Sequence, residues 1–124
     1  MLVVVLICVA GGLGASLRLV VDGVIKSRVL SSYPVATTVI NISGSLLLGL
    51  LAGLTARQFL PHSWYLVAGT GLLGGYTTFS TASFETVRLL EDRRYLAAAI
   101  NGFGTLLAGT GAAALGFLMA MALP

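Results

Sequence analysis

The chain is poor in charge: 9% of its 124 residues are Asp, Glu, Lys or Arg, against roughly 25% in an average soluble domain. A water-soluble fold would have too little polar surface, so that class is excluded. Cysteine is nearly absent as well. Cys8 alone permits no intrachain disulfide and no metal cluster, and it reads as a small apolar side chain buried among helices. The one histidine, His62, follows Pro61 and reads as a solvated loop residue. No nucleophile stands beside a base, no carboxylates pair and no metal-ligand spacing occurs, so an enzyme is not expected. The net charge of +3 comes from loop arginines near lipid headgroups, without a basic stripe interleaved with aromatics, which argues against nucleic-acid binding.

What the chain does have is apolar sequence, 57% hydrophobic with a mean hydropathy of +1.01, parted by short charged punctuation. Nothing charged precedes Arg18, lies between Arg28 and Arg57 or between Arg57 and Glu85, or follows Arg94. Each gap holds the roughly 20 apolar residues a helix needs to cross a ~30 Å hydrocarbon core. The expected fold is therefore an all-α integral membrane protein with four transmembrane helices in a single domain over 1–124. The spans are placed at about 1–21, 34–56, 64–90 and 95–123. Tyr33, Trp64, Tyr65 and Tyr95 fall where spans begin, the depth at which amphipathic rings settle, and Tyr76 does not fit that pattern. The first span lacks the basic leader of a signal peptide and reads as retained.

Short loops, at 22–33, 57–63 and 91–94, make neighbouring helices antiparallel. Ser45, Gly49 and Gly53, and Gly104, Ala108, Ala112 and Gly116, repeat small residues every fourth position, the pattern by which membrane helices approach closely. Four such helices enclose little volume, so an oligomer is expected, with any path or binding site near the subunit interface. In the third span, Gly74 to Ser83 reads GGYTTFSTAS. Adjacent glycines and β-branched threonines weaken a helix there. Composition leaves two readings open: a break whose freed backbone groups line water or hold an ion, or a kinked continuous helix whose hydroxyls bond back to its own carbonyls.

Polar residues inside the spans fall on common faces. Thr37, Asn41 and Ser45 share one face of the second helix, and Asn101 and Thr105 one face of the fourth. They serve either as interhelical hydrogen bonds or as neutral donors to a small desolvated anion, since no acidic residue lies among them. Arg18 either reaches headgroups or attracts anions to a vestibule. Glu85, three residues before Arg88, reads as half of a local ion pair.

Several of these segments coincide in order and spacing with one family. GGLGASLR ending at Arg18, PVAT from Pro34 to Thr37, NISG from Asn41, and GGYTTFST from Gly74 running on to Glu85 resemble the Fluc (CrcB) fluoride channels over almost the whole chain. The resemblance implies an antiparallel dual-topology dimer with two fluoride pores, and a third helix broken near 74–78. It also implies a structural Na+ at the dimer interface, held by the backbone carbonyls of Gly74 and Thr77. The pore would use Asn41, Phe79, Ser80, Thr81 and Thr105, with Thr37 near a vestibule and Arg18 and Glu85 as vestibule or structural charges. Function would be passive export of cytoplasmic fluoride across the bacterial inner membrane, giving fluoride resistance.

Two departures widen the reading. Ala82 stands where the family has a second phenylalanine. Lys26, Arg28, Arg88, Arg93 and Arg94 lie on one side with only Arg57 on the other, whereas insertion in both orientations needs little such bias. The alternative is a pore-degenerate or scaffold subunit, or one that pairs with an oppositely biased paralogue. A small proton-coupled exporter is disfavoured, because it needs a carboxylate in the first span and none is present.

Overall fold

The computed structural model describes all residues, 1–124, and is helical almost throughout, with no strand. Helix α1 spans Leu2–Arg28 and α2 spans Val35–Ala56. A third leg, α3, runs over residues 62–76 and includes a π-helical stretch at Leu66–Leu73; after Thr77 and Thr78, α4 spans Phe79–Glu91. The last, α5, spans Tyr95–Met121 with a second π stretch at Ile100–Gly104. Three helices, α1, α2 and α5, are long and apolar enough to cross a membrane. The leg from 62 to 91 is divided by Thr77 and Thr78, so neither piece reaches that length.

Contacts fix how the legs run. Gly109 lies against Ser45, Gly49 against Ala113, and Gly53 against Phe117 and Ala120, so α2 and α5 are parallel. Gly71 meets Ile7 and Ala10 while Gly75 meets Gly11, so α1 and α3 are parallel too. Between these pairs the sense reverses, since Thr37 reaches Glu85, Asn41 reaches Thr78 and Ser43 reaches Tyr76. The 62–91 leg thus returns along α2 before α5 retraces it.

The interior is built from small and polar residues, and large apolar side chains face outward. Only 18 of 124 residues are buried, among them Thr37 and Asn101, while most leucines and valines of α1 and α5 are exposed. That is the reverse of a soluble core and fits a lipid surround, where close backbone approach and hydrogen bonds hold helices together. A Cβ on Gly49, Gly75 or Gly116 would collide with the backbone of Ala113, Gly11 or Leu46 respectively.

Several sequence expectations need correction. Helix α1 continues to Arg28, beyond the expected end near 21, because the i,i+4 pair of Lys26 Nζ and Asp22 Oδ2 at 2.8 Å supports another turn or two at its polar end. Gly74 and Gly75 remain helical; Gly75 serves the contact with α1, and the chain departs from the helix two residues later. On α5 the packed line is Gly109, Ala113, Gly116 and Ala120, with Gly104, Ala108 and Ala112 off it. Strict spacing of four advances about 400° per step and so drifts off a 3.6-residue repeat. Cys8 is exposed on the outer face.

Candidate functional site: a neutral groove beside an interrupted helix

At the interruption Thr77 and Thr78 are extended, with φ/ψ of −77/161° and −149/116°. Two amides are thereby redirected. The Thr78 N–H, which in a continuous helix would reach Gly74 O, donates instead to Asn41 Oδ1 at 2.8 Å. The Thr81 N–H, which would reach Thr77 O, donates to Thr78 Oγ1 at 3.2 Å, so Thr78 N-caps α4. Asn41 closes the clamp by donating Nδ2 to Thr78 O at 2.9 Å. A single amide side chain therefore satisfies both backbone groups of an extended residue, the pairing a strand neighbour would otherwise supply.

The same rearrangement leaves the carbonyls of Gly74 and Thr77 without their helical N–H partners. These are the residues whose carbonyls the family resemblance assigns to Na+, and hard oxygen donors at a helix break suit such a cation. No group of three or more His, Cys, Asp or Glu is gathered anywhere in the fold.

A groove of about 480 Å³ runs from this point along α2, α4 and α5. Asn41, Ser45, Thr77, Thr78, Ser83, Thr86, Asn101, Thr105 and Thr110 provide its polar wall, Phe79 and Ala82 stand at its edge, and no charged residue lines it. Thr78 Oγ1 donates to Thr81 Oγ1 at 3.0 Å, which leaves the Thr81 hydroxyl proton unspent. Ser80 Oγ lies 3.3 Å from Thr78 Oγ1, and its side of α4 is open. Phe79 is 86% exposed on the single chain, an apolar ring projecting from the start of a helix.

The remaining sequence-singled residues fall elsewhere. Thr37 is buried and donates to Glu85 Oε1 at 2.9 Å, so Glu85 is tied to α2 and forms no ion pair with Arg88. Glu85, Lys26, Arg88, Asp92 and Arg94 line a separate recess of about 430 Å³ at the end of the bundle that carries the first and third loops. Arg18 Nε donates to Gly75 O at 3.3 Å, supporting another carbonyl of the interruption from α1. Tyr76, out of place as an interfacial ring, is buried with its hydroxyl 3.1 Å from Ser43 Oγ. Asn101, outside the expected pore set, belongs to the groove wall. It is 1% exposed, and its Nδ2 donates to Ala82 O at 3.1 Å and Thr86 Oγ1 at 2.9 Å; its signal in the sequence is the helix face it shares with Thr105.

An all-helical bundle with apolar helices, a lipid-suited exterior and an uncharged polar groove at an interrupted helix defines a multi-pass membrane protein built to handle a small solute. The family described as CrcB-like protein, Camphor Resistance (CrcB), matches residues 5–117, and the chain belongs to that family. Relatives include fluoride-specific ion channel FluC 1 of Leifsonia xyli subsp. xyli, 52% identical over 115 residues covering 93% of this chain and 84% of that protein. Fluoride-specific ion channel FluC 2 of Mycobacterium bovis is 45% identical over 86% of this chain and 81% of its own length. Fluoride-specific ion channel FluC 3 of Bifidobacterium longum is 42% identical over 93% of this chain and 95% of its own. These relatives are named as channels, and the family is one of ion channels, not enzymes.

Proposed function

We propose that the chain is a subunit of a fluoride-selective channel that lets cytoplasmic fluoride leave the cell passively across the bacterial inner membrane and so confers fluoride resistance. The observation that carries this reading is the groove at the interruption, lined by hydroxyl and amide groups and free of full charge, in a chain whose relatives are named for fluoride. Fluoride is small and strongly hydrated, so donors must replace its water. A fixed charge on the path would hold the ion too tightly to release it. Thr81, just outside the groove lining, keeps its hydroxyl proton, Asn41 retains one amide proton beyond its clamp, and Thr105 extends the hydroxyls along α5, whereas Ser80 can only donate to Thr78 Oγ1. Phe79 adds the positive rim of its ring without adding charge.

On this reading the returning 62–91 leg is the fourth crossing and its interruption lies at membrane depth, a reading supported by the way the leg runs back along α2. The exposed face bearing Phe79 suits a second subunit inserted antiparallel, and the channel is a dimer. Na+ would sit at that interface on the carbonyls of Gly74 and Thr77 from each subunit, where it supplies fixed positive charge and structural closure. The ion would not permeate. Glu85 lines the recess at the loop end, held from behind by the buried Thr37, and that recess serves as a vestibule.

Purified protein in liposomes loaded with fluoride tests the reading: selective fluoride efflux supports it, and silence from a chain shown to be inserted and dimeric, both alone and together with a paralogue, defeats it. A second reading is favoured by Ala82, which leaves the groove's edge without a second ring. In that case this subunit completes a pore only with a paralogue, and efflux appears only when both are reconstituted together.

A further inference from the structure

Asn101 and Thr105 carry unmet hydrogen-bonding capacity in a place where that is unusual. Asn101 Oδ1 and Thr105 Oγ1 are both buried without a partner, and both residues line the groove, although buried polar atoms are satisfied in the great majority of cases by protein or internal water. The orientation of the Asn101 amide is set by its surroundings. Ala82 O can only accept, and Thr86 spends its own proton on that carbonyl at 2.8 Å, so the NH2 group must face this pair and Oδ1 must face away. Thr105 departs from its fellows too. Thr38, Thr55, Thr77, Thr86 and Thr110 each donate to the carbonyl four residues earlier, and Thr105 does not. It directly follows the π stretch Ile100–Gly104, which changes the geometry of that carbonyl.

Asn101 and Thr105 lie about one helical turn apart on α5 and both line the groove. We infer that Asn101 Oδ1 and Thr105 Oγ1 jointly hold one internal water in the groove wall. The water accepts the Thr105 hydroxyl proton and donates one O–H to Asn101 Oδ1. Its second O–H faces the groove as a donor to the passing anion. An oxygen acceptor that would otherwise repel an anion is thereby converted into a donor. The conduction role rests on the fluoride reading above; the water site itself does not.

Two measurements test it. In an experimental structure resolving ordered water, a peak within hydrogen-bond distance of both atoms is expected, and it should vanish in Thr105→Val, which keeps the shape and removes the hydroxyl. No such peak in the parent protein, or a protein group in its place, overturns the site. In fluoride efflux, Thr105→Val and Asn101→Leu should each slow the rate by about tenfold, and the double variant by no more than either alone, because both lose the same water. Multiplying losses overturn the shared donor. If Asn101→Leu does not fold, Asn101→Ser takes its place in the cycle. Should the parent pass no fluoride, alone or with a paralogue, the channel reading fails, and the water is then decided by the density and by the same cycle in thermal midpoints.

Discussion

Asn41 is where charge and fold are most tightly linked. Asn41→Asp keeps the acceptor for the Thr78 amide but removes the donor to the Thr78 carbonyl and sets a negative charge beside the groove. An unpaired buried carbonyl costs about 1–3 kcal/mol. Fluoride efflux should fall at least about tenfold, each factor of ten corresponding to 1.36 kcal/mol on the barrier, and the melting temperature should drop; unchanged flux would remove Asn41 from the path. Gly75 tests packing instead. Gly75→Val drives a side chain into the Gly11 carbonyl, whereas Gly23→Ala meets open space. The first should destabilise the protein by about 1–3 kcal/mol, the usual cost of overpacking, and the second should stabilise α1 by about 0.5–1 kcal/mol. Denaturation in detergent compares the two, and a tolerated valine would show that α1 and α3 do not depend on this approach.

Two elements end on a residue that glycine would suit better. Gln58 and Arg93 have φ of 60° and 58°. In both, the amide after the turn reaches back five residues, Phe59 N–H to Leu54 O at 2.9 Å and Arg94 N–H to Leu89 O at 2.8 Å, the Schellman closure. Gln58→Gly should therefore raise stability by about 1 kcal/mol, the left-handed penalty relieved, which thermal unfolding reads directly; a loss would mean the glutamine side chain has a structural partner in the membrane-embedded protein. Helix positions were legible in the sequence because charge gaps and aromatic edges report solvent, and solvent sets where these helices begin and end. The interruption was legible only as a choice between two conformations, since what decides it is a clamp from Asn41, 37 positions away in the chain. Neither π stretch left a sequence signal, because a wider helical turn asks for no particular residue type. Asn101 stayed obscure for a related reason: its role lies in which of its two amide atoms is left over, and that depends on Thr86 and Ala82 across a helix interface.

At the scale of the whole molecule, charge asks which way the bundle is inserted. The 2.7 Å bond from Arg94 Nη1 to Ser32 O joins the first and third loops at one end. At the other end Arg57 caps the last helix through Met121 O at 3.2 Å and the Leu123 carbonyl. Lys26, Arg28, Arg88, Arg93 and Arg94 gather at the first end, facing Arg57 alone at the second. Cytoplasmic loops retain Lys and Arg, so the first end should be cytoplasmic and a reporter fused after Pro124 should appear outside the cell in nearly every copy. Equal signal on both sides would defeat a fixed orientation and favour a homodimer of oppositely inserted copies. The charge origin can be tested separately. Arg28→Gln and Arg93→Gln remove two cations that hold no hydrogen-bond partner in the fold, and Gln58→Arg adds one at the opposite end. If the loop charges set the direction, this triple variant should give a mixed population from the same fusion. A fixed orientation that persists would place its cause in the helices, and an oppositely biased partner would then no longer be needed to explain the asymmetry.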